Sequence, residues 1–562
     1  MNNPLEVILN RQVAGAVART VRWGALGLTI VLPLACRPSP ENAAPRLIVM
    51  IAVDQLGTEL LQRYEPALTH GFRRLEEEGA SFPRATVNHA ITVSAPGHVT
   101  LSTGRDPRNH GIVDAAFYQL QEGRWLFTDS VSDDEESILG VPDSPGVSPR
   151  KVLSSGLAEW VLDADPDARI VAIGTGWVSS LLHARPPGDV YWFMNEAGRY
   201  VTSTYYRDSY PAWVDRFNLE VLPTLMDSTW SLEVPPDMRE LARRDDASYE
   251  SGGRHPTFPH SFHNEVEPDE IGSPVAYATW FTDTPLADAA TFAFAKEAIR
   301  ARQLGQRTTT DYVSITLSQI DDIGHWYGPA SLEQLDNLLR LDRELGRFFE
   351  FLDRTVGEGR WVAVVSADHA APYAPEHRRQ HGEPAYRVTG EEVERVLAAV
   401  DESLRVTGGT GEERARAVES LVEASPFVSD VMTPAELLSS APADSFIDLY
   451  RRSYRHDRVP RYPLFSFTTG QSSVAELSLA VRLQPDAMLD LDTVAHGSPY
   501  DYDRRVPLFF LGAGVAAGVY ENPVHTTDVA PTLAALAGIP FPPDLDGRPL
   551  LVSESNGSGT PP

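Results

Sequence analysis

Three aspartates, three histidines and one serine, spread from position 54 to position 496, are the residue types that phosphoester hydrolysis on a pair of zinc ions requires: Asp54, Ser94, Asp321, His325, Asp368, His369 and His496. Zinc binds nitrogen and oxygen donors in near-tetrahedral arrays, and a catalytic zinc keeps one position open. Two such ions roughly 4 Å apart stabilise attacking and leaving oxygens together, and an ion beside a hydroxyl lowers its pKa as it does that of bound water. Alone, each residue has a plainer explanation. An Asp–His pair is more often a structural ion pair, and a serine ahead of a helix is more often its N-cap. One local context recurs around all of them, and that recurrence favours chemistry.

The segment RLIVMIAVDQLGTELL is an apolar run closing on Asp54, the pattern of a buried parallel strand that delivers a carboxylate at its C-terminal end. That edge is where open α/β sheets bind ligands. VSITLSQIDDIGHWYGP repeats it, with Asp321 and His325 four apart and able to share one metal from one helical turn. Asp322 is a three-apart alternative, and Gly324 leaves the local turn open. RWVAVVSADHA is a third such run, ending in Asp368 and His369, and AHGSPYDYDRRVPLFFLG sets His496 ahead of a fourth apolar strand at 506–512. In NHAITVSAPGHVTLSTG, Ser94 stands where a helix is about to begin, and Pro96 suits the first turn, where a missing N–H costs nothing. A hydroxyl there faces free backbone N–H groups and the positive end of a helix dipole, which favour an alkoxide and an incoming phosphate.

Taken in order, VDQL, TVSAPGHVTLSTG, HGIV, DDIGHWYGP, SADH and HGSPYDYDRRVP resemble the alkaline phosphatase superfamily, in particular its type I phosphodiesterase/nucleotide pyrophosphatase branch and the phosphate-irrepressible alkaline phosphatases of bacterial periplasms. The resemblance runs from about Leu47 to Leu551. It implies one zinc held by Asp321, His325 and His496 and a second held by Asp54, Asp368 and His369, with Ser94 bridging to the second as nucleophile. Irrepressible relatives mostly carry Thr at that place, while Ser serves elsewhere in the superfamily.

The departures from the pattern bear on substrate. Relatives read HGIVGN, with an Asn on a phosphoryl oxygen, where this chain reads HGIVDA with Ala115. Monoesterase relatives carry a Lys-Asp-Arg triplet upstream of YWF; counting back from Tyr191 without gaps puts Thr175, Gly176 and Trp177 there. A gapped alignment brings Arg185 or His183 in to supply charge instead. One donor aimed at transferring oxygens is worth about 2.7–4 kcal/mol, and losing several penalises the more highly charged monoester most. Trp177, Tyr191 and Trp192 could offer an apolar wall for an organic substituent, with core packing the expected role of at least two of them. Sulfatases share the fold, but their maturation needs Cys or Ser followed by x-Pro-x-Arg, and Ser94 is followed by Ala95-Pro96-Gly97-His98. The resemblance gives His98 no ligand duty, which leaves it a structural role at the helix start.

With 562 residues, 42% hydrophobic and 22% charged, the chain is expected to be globular with a large core. A net charge of −30 opposes nucleic-acid duplexes and anionic membranes, so a small phosphate ester must be drawn by local metal charge. Arg11, Arg19 and Arg22 precede WGALGLTIVLPLAC, the length of a signal-peptide core and too short to span a bilayer. The single cysteine, Cys36, closes that segment after Leu34-Ala35 and suggests a lipoprotein processing site, hence a periplasmic or otherwise extracytoplasmic, lipid-anchored protein. The expected organisation is a signal segment over 1–36, a Pro-rich tether over 37–46, a catalytic domain over 47–551 and a disordered tail over 552–562. Within the domain, loop-rich insertions that cap the site are expected at about 186–300 and 376–475, and helices at 331–355, 390–404 and in TTDVAPTLAALAG. The expected fold is a three-layer α/β sandwich, with a mostly parallel central sheet flanked by helices. Function is then exported phosphoric ester hydrolysis through Ser94 on two zinc ions, leaning to diesters. A monoesterase, a phospho-group transferase and a non-catalytic binding protein are the alternatives, the last predicting a loss of ligands that is not seen.

Overall fold

The computed structural model describes residues 44–552, apart from 186, 254, 407–415, 417–418, 421, 441–443, 461–479 and 491. The expected signal segment, Cys36 and the tail from 553 lie outside the described residues. Among those described, no helix is long and apolar enough to cross a membrane.

Nine strands form one sheet: β1 (Leu47–Val53), β2 (Ala80–Ser81), β3 (Ile170–Gly174), β4 (Asp189–Met194), β5 (Arg199–Val201), β6 (Asp311–Leu317), β7 (Trp361–Ser366), β8 (Leu508–Gly512) and β9 (Gly518–Val519). Their order is β9-β2-β8-β7-β1-β6-β3-β4-β5. The five in the middle, from β7 to β4, run parallel; β8 and β5 turn antiparallel on either side. Every residue of β1, β6 and β7 is buried, which is why LIVMIAV and WVAVV read as unbroken apolar runs, while β6 buries Asp311, Ser314 and Thr316 along with its apolar residues.

Among the helices that flank this sheet or lead from its strands are α1 (Gly71–Glu78), α2 (Ser94–Thr103), α3 (Leu157–Ala164), α4 (Leu286–Ala301), α5 (Gln319–Tyr327), α6 (Leu332–Leu352) and α7 (Val529–Leu536). α1, α4 and α6 pack together as one layer, and α2, α3 and α7 as another, giving the α/β sandwich. α6 starts where Ser331 Oγ accepts the Gln334 N–H at 2.9 Å, an N-cap, and buries Leu335, Leu338, Leu345 and Phe348 along one stripe.

Three boundaries differ from expectation. The tether is already fixed at its end, since Arg46 N–H donates to Arg360 O at 2.7 Å and Thr310 Oγ1 donates to Pro45 O at 2.7 Å. Val552 is buried and its carbonyl accepts the Ala516 N–H, so the fold outlasts position 551. The stretch 186–300 is no continuous loop-rich excursion: β4 and β5 belong to the sheet, and α4 buries Phe292, Phe294 and Ile299 in the main core. Its aromatic richness is core packing, with Tyr200 stacked on Phe294 at 4.2 Å. The stretch 376–475 does build structure of its own. The described part of its helix spans Gly390–Val406, and Val428–Met432 pairs with Ala480–Leu483 around a separate small core.

Candidate active site

β6, β1 and β7 are neighbours whose ends are nearly level: Val53 lies beside Leu317 and Ala52 beside Ser366. The residues that follow each strand therefore emerge together at one edge of the sheet. Asp54 comes directly after β1, Asp321 and His325 sit on successive turns of α5 after β6, and Asp368 and His369 follow β7.

Two donor groups result. Asp54, Asp368 and His369 are buried and offer ligand atoms within 4.8 Å of one another; Asp321, His325 and His496, partly exposed, do the same. Ser94 Oγ lies 3.4 Å from Asp54 Oδ1 and 3.5 Å from His369 Nε2. Val93 occupies the N-cap position and Ser94 is the first helical residue, so the plain capping explanation does not hold. All seven residues are brought together. Asp322 joins neither group; it lines a separate cleft with Thr175, Gly176, Trp192 and Asp283.

Backbone carbonyls aim the imidazoles. His325 Nδ1 is 2.7 Å from Val494 O, His496 Nδ1 is 2.8 Å from Thr92 O, and His369 Nδ1 is 3.2 Å from Ala370 O. That leaves each Nε2 for the site: His325 and His496 stand 3.3 and 3.5 Å from Asp321 Oδ1, and His369 stands 3.2 Å from Asp54 Oδ1. Thr92 Oγ1 also donates to Ser498 O, and the N–H groups of Ala90 and Ile91 donate to Ser453 Oγ, so the loop ahead of Ser94 is pinned to the His496 segment and to the second insertion.

Two residues at the site carry no sign of their part in it from sequence. Gln55 has a left-handed backbone, φ 62°, sparsely populated by a side-chain-bearing residue. Its N–H donates to Asp368 Oδ1 at 3.3 Å and its side-chain amide donates to Asp321 Oδ1, so it ties one group to the other. His98, fully buried, directs Nε2 to within 3.6 Å of Asp54 Oδ2 and 3.5 Å of Asp368 Oδ2. Every one of these partners is distant in sequence, so no local pattern marks either residue.

Electrostatics fit a cation in each group. Burial pushes Asp54 up, yet hydrogen bonds from His369 and His98 hold it well below the usual carboxylate range. Burial opposes charge on His369 as well, but Asp368 and Asp54 push it up to about 10, and Asp321 does the same for His325. Burial and the neighbouring His369 drive His496 down to about 3. Asp368 Oδ2 is buried with no hydrogen-bond partner. Two carboxylates with one imidazole, and one carboxylate with two, are oxygen and nitrogen sets suited to zinc.

Neither Arg185 nor His183 is free to supply charge to the site. Arg185 is spent on Glu159 and on Ser154 O, and burial holds His183 well below its ordinary value, with His98 and Ser314 as partners. Thr175 Oγ1 bonds Thr291 and Gln319. Tyr191 packs against Trp213 and Phe294 in the core; Trp192, also buried, walls the Asp322 cleft, and the Trp177 side chain lies outside the described residues.

The type I phosphodiesterase / nucleotide pyrophosphatase family model matches residues 48–416. Alkaline phosphatase PhoK of Sphingomonas sp is 30% identical over 537 residues, covering 90% of each chain. Alkaline phosphatase PafA of Elizabethkingia meningoseptica is 28% identical over 537 residues, 91% of this chain and 95% of that one. Crystal structures of PafA superpose at TM-score 0.80 for the wild type, with 25% identity, and 0.79 for a variant with one Thr→Ser, one Asn→Ala, one Lys→Ala and one Arg→Ala substitution, with 26% identity; each covers 90% of this chain and 98% of the other. The chain belongs to the type I phosphodiesterase / nucleotide pyrophosphatase family, within the alkaline phosphatase superfamily of phosphoric ester hydrolases.

Proposed function

We propose that this chain is an exported phosphoric ester hydrolase that uses Ser94 as nucleophile on two zinc ions and prefers phosphate diesters to monoesters. One observation carries the reading: six donors from separate segments converge in two sets of three, with Ser94 Oγ beside the buried set. Asp321, His325 and His496 would hold one ion, and Asp54, Asp368 and His369 the other. When bound, the ions supply positive charge to the attacking and leaving oxygens and make the serine alkoxide accessible near neutral pH.

Ser94 Oγ attacks phosphorus as its O–H bond breaks, the P–O bond to the leaving group opposite it breaks, and the departing oxygen takes up a proton to leave as the alcohol. Water then releases the phosphoryl group from Ser94. The N-terminal position of Ser94 on α2 adds free N–H groups that favour the anionic transition state. Gln55 holds Asp321 and Asp368 in register, and the three backbone carbonyls keep each imidazole turned inward.

The diester preference rests on the missing donors. The PafA variant carries serine and three alanines by substitution; counted without gaps, the resemblance puts Ser94, Ala115, Thr175 and Trp177 of this chain where the family has its nucleophile, Asn and Lys-x-Arg. With those donors gone, a dianionic monoester loses most, because a diester has one oxygen already esterified. The monoesterase reading is favoured by the names of the relatives, alkaline phosphatases. Export and a lipid anchor on Cys36 rest on the N-terminal segment.

Purified protein assayed for metal and given aryl phosphate mono- and diesters with one leaving group should turn over the diester faster. A large monoester preference would overturn the diester reading, and no turnover of either would overturn hydrolysis.

A further inference from the structure

A file of buried polar groups runs inward from the Asp54–Asp368 pair. His98 Nε2 points between Asp54 Oδ2 and Asp368 Oδ2; His98 Nδ1 is 3.2 Å from His183 Nε2; His183 Nδ1 is 2.6 Å from Ser314 Oγ. Ser314 belongs to β6, His98 to α2 and His183 to the turn after β3, and all three are buried. A carboxylate only accepts, so attraction requires the proton on His98 Nε2. A neutral His98 then accepts at Nδ1, which requires the proton on His183 Nε2, and His183 Nδ1 in turn accepts from the Ser314 hydroxyl. With both rings neutral, this direction of donation satisfies every link.

The file starts from the helix that carries the nucleophile. Ser94 and His98 are four residues apart on α2 and so face the same way. Asp54 presents Oδ1 to Ser94 and His369 while Oδ2 faces His98. His98 Nε2 has no hydrogen-bond partner of ordinary geometry, and the polar atoms it faces are the two carboxylate oxygens, at 3.6 and 3.5 Å.

We infer that His98 is a positioning residue of the metal centre: Ser314 and His183 fix its tautomer, and its Nε2–H, set between Asp54 Oδ2 and Asp368 Oδ2, orients Asp54 so that Oδ1 faces His369 and Ser94. This rests on the two-zinc reading. Removing an outer partner of a ligand carboxylate lowers metal affinity by about 10–100-fold.

Zinc-free protein is titrated with zinc in competition with a chromophoric chelator, for the wild type, His98→Phe and His98→Gln. The phenylalanine keeps the ring volume without a donor; the glutamine keeps a donor near Nε2. The expected result is two zinc ions in the wild type, one of them about 10–100-fold weaker in His98→Phe and within a few-fold of normal in His98→Gln. Wild-type affinity at both sites in a folded His98→Phe protein overturns the inference, and a wild type that binds fewer than two zinc ions overturns the two-zinc reading itself. Should His98→Phe fail to fold, 15N-histidine spectra of the zinc-loaded wild type decide: both rings protonated at Nε2 and bare at Nδ1 are expected, and a His98 protonated at Nδ1 overturns the proposal.

Discussion

His369 and His496 stack with ring centroids 3.8 Å apart and planes 20° from parallel, one ring from each donor group. The two groups therefore share a wall. A displacement of either ring is felt by the other, which makes the site one unit rather than two adjacent ones.

Ser94→Ala should abolish turnover, by about 10³-fold or more, since no other hydroxyl takes over a covalent step. Metal content should stay near that of the wild type, because the six other donors are untouched. Turnover close to normal would take Ser94 out of the mechanism. Kinetics and elemental analysis on one preparation check both.

His325→Ala leaves the Asp321 group with two protein donors, too few for a stable site. Zinc per chain should fall from two to about one. An unchanged ratio would reassign His325.

Restoring the missing donors with Ala115→Asn, Thr175→Lys and Trp177→Arg should raise kcat/KM for an aryl monoester. Each well-placed donor is worth about 10²-fold. The diester rate should move far less. If neither substrate responds, the ungapped alignment over this stretch is wrong.

A methyl group on Gly97 would stand 2.6 Å from Asp368 O and 2.7 Å from Asp368 Cβ, both part of a rigid strand end. Gly97→Ala should push α2, and Ser94 with it, away from the buried donors. A displacement near 1 Å costs on the order of 10²-fold in kcat, and overpacking costs about 1–3 kcal/mol of stability. Activity and melting temperature together test it.

His260 is buried between Glu265, at 2.8 Å, and Glu333, at 3.3 Å. Burial lowers its pKa, but hydrogen bonds to the two carboxylates win and push it up to about 9. A histidine raised on folding stabilises the fold fully below its unfolded value near 6.5, and that contribution is lost as pH rises through about 9. The stability gap between wild type and His260→Gln should be on the order of 3 kcal/mol at pH 6 and close towards pH 9. Denaturant melts across that range measure it, and a gap independent of pH would rule out the ion pair.

Much of the centre is legible in the chain because each donor except His496 sits at or just past the end of an apolar run, or at a helix start with a turn residue nearby. Strand ends are local features. What stays hidden is long-range. Gln55 and His98 owe their places to partners between 44 residues (Asp54 and His98, 98 − 54) and 313 residues (Gln55 and Asp368) away. DVYWFM blends into the irregular stretch around it, because a strand buried on both faces and set among prolines and aromatics has no alternation to mark it. α4 escapes notice for the related reason that it is apolar on most sides and shows little periodicity. The choice between Asp321 and Asp322 also needs the structure: on α5 they point about 100° apart, and only one side faces the histidines.

The level ends of β6, β1 and β7 have a consequence for how such a protein diversifies. Asp54 and Asp368 follow two adjacent strands and Asp321 the helix after a third, and the strand spacing of about 4.8 Å is set by amide bonding and is indifferent to side-chain identity. Mutational drift in the peripheral loops can thus retool what is admitted, while the spacing of the donor groups rides on backbone dimensions that no such drift alters.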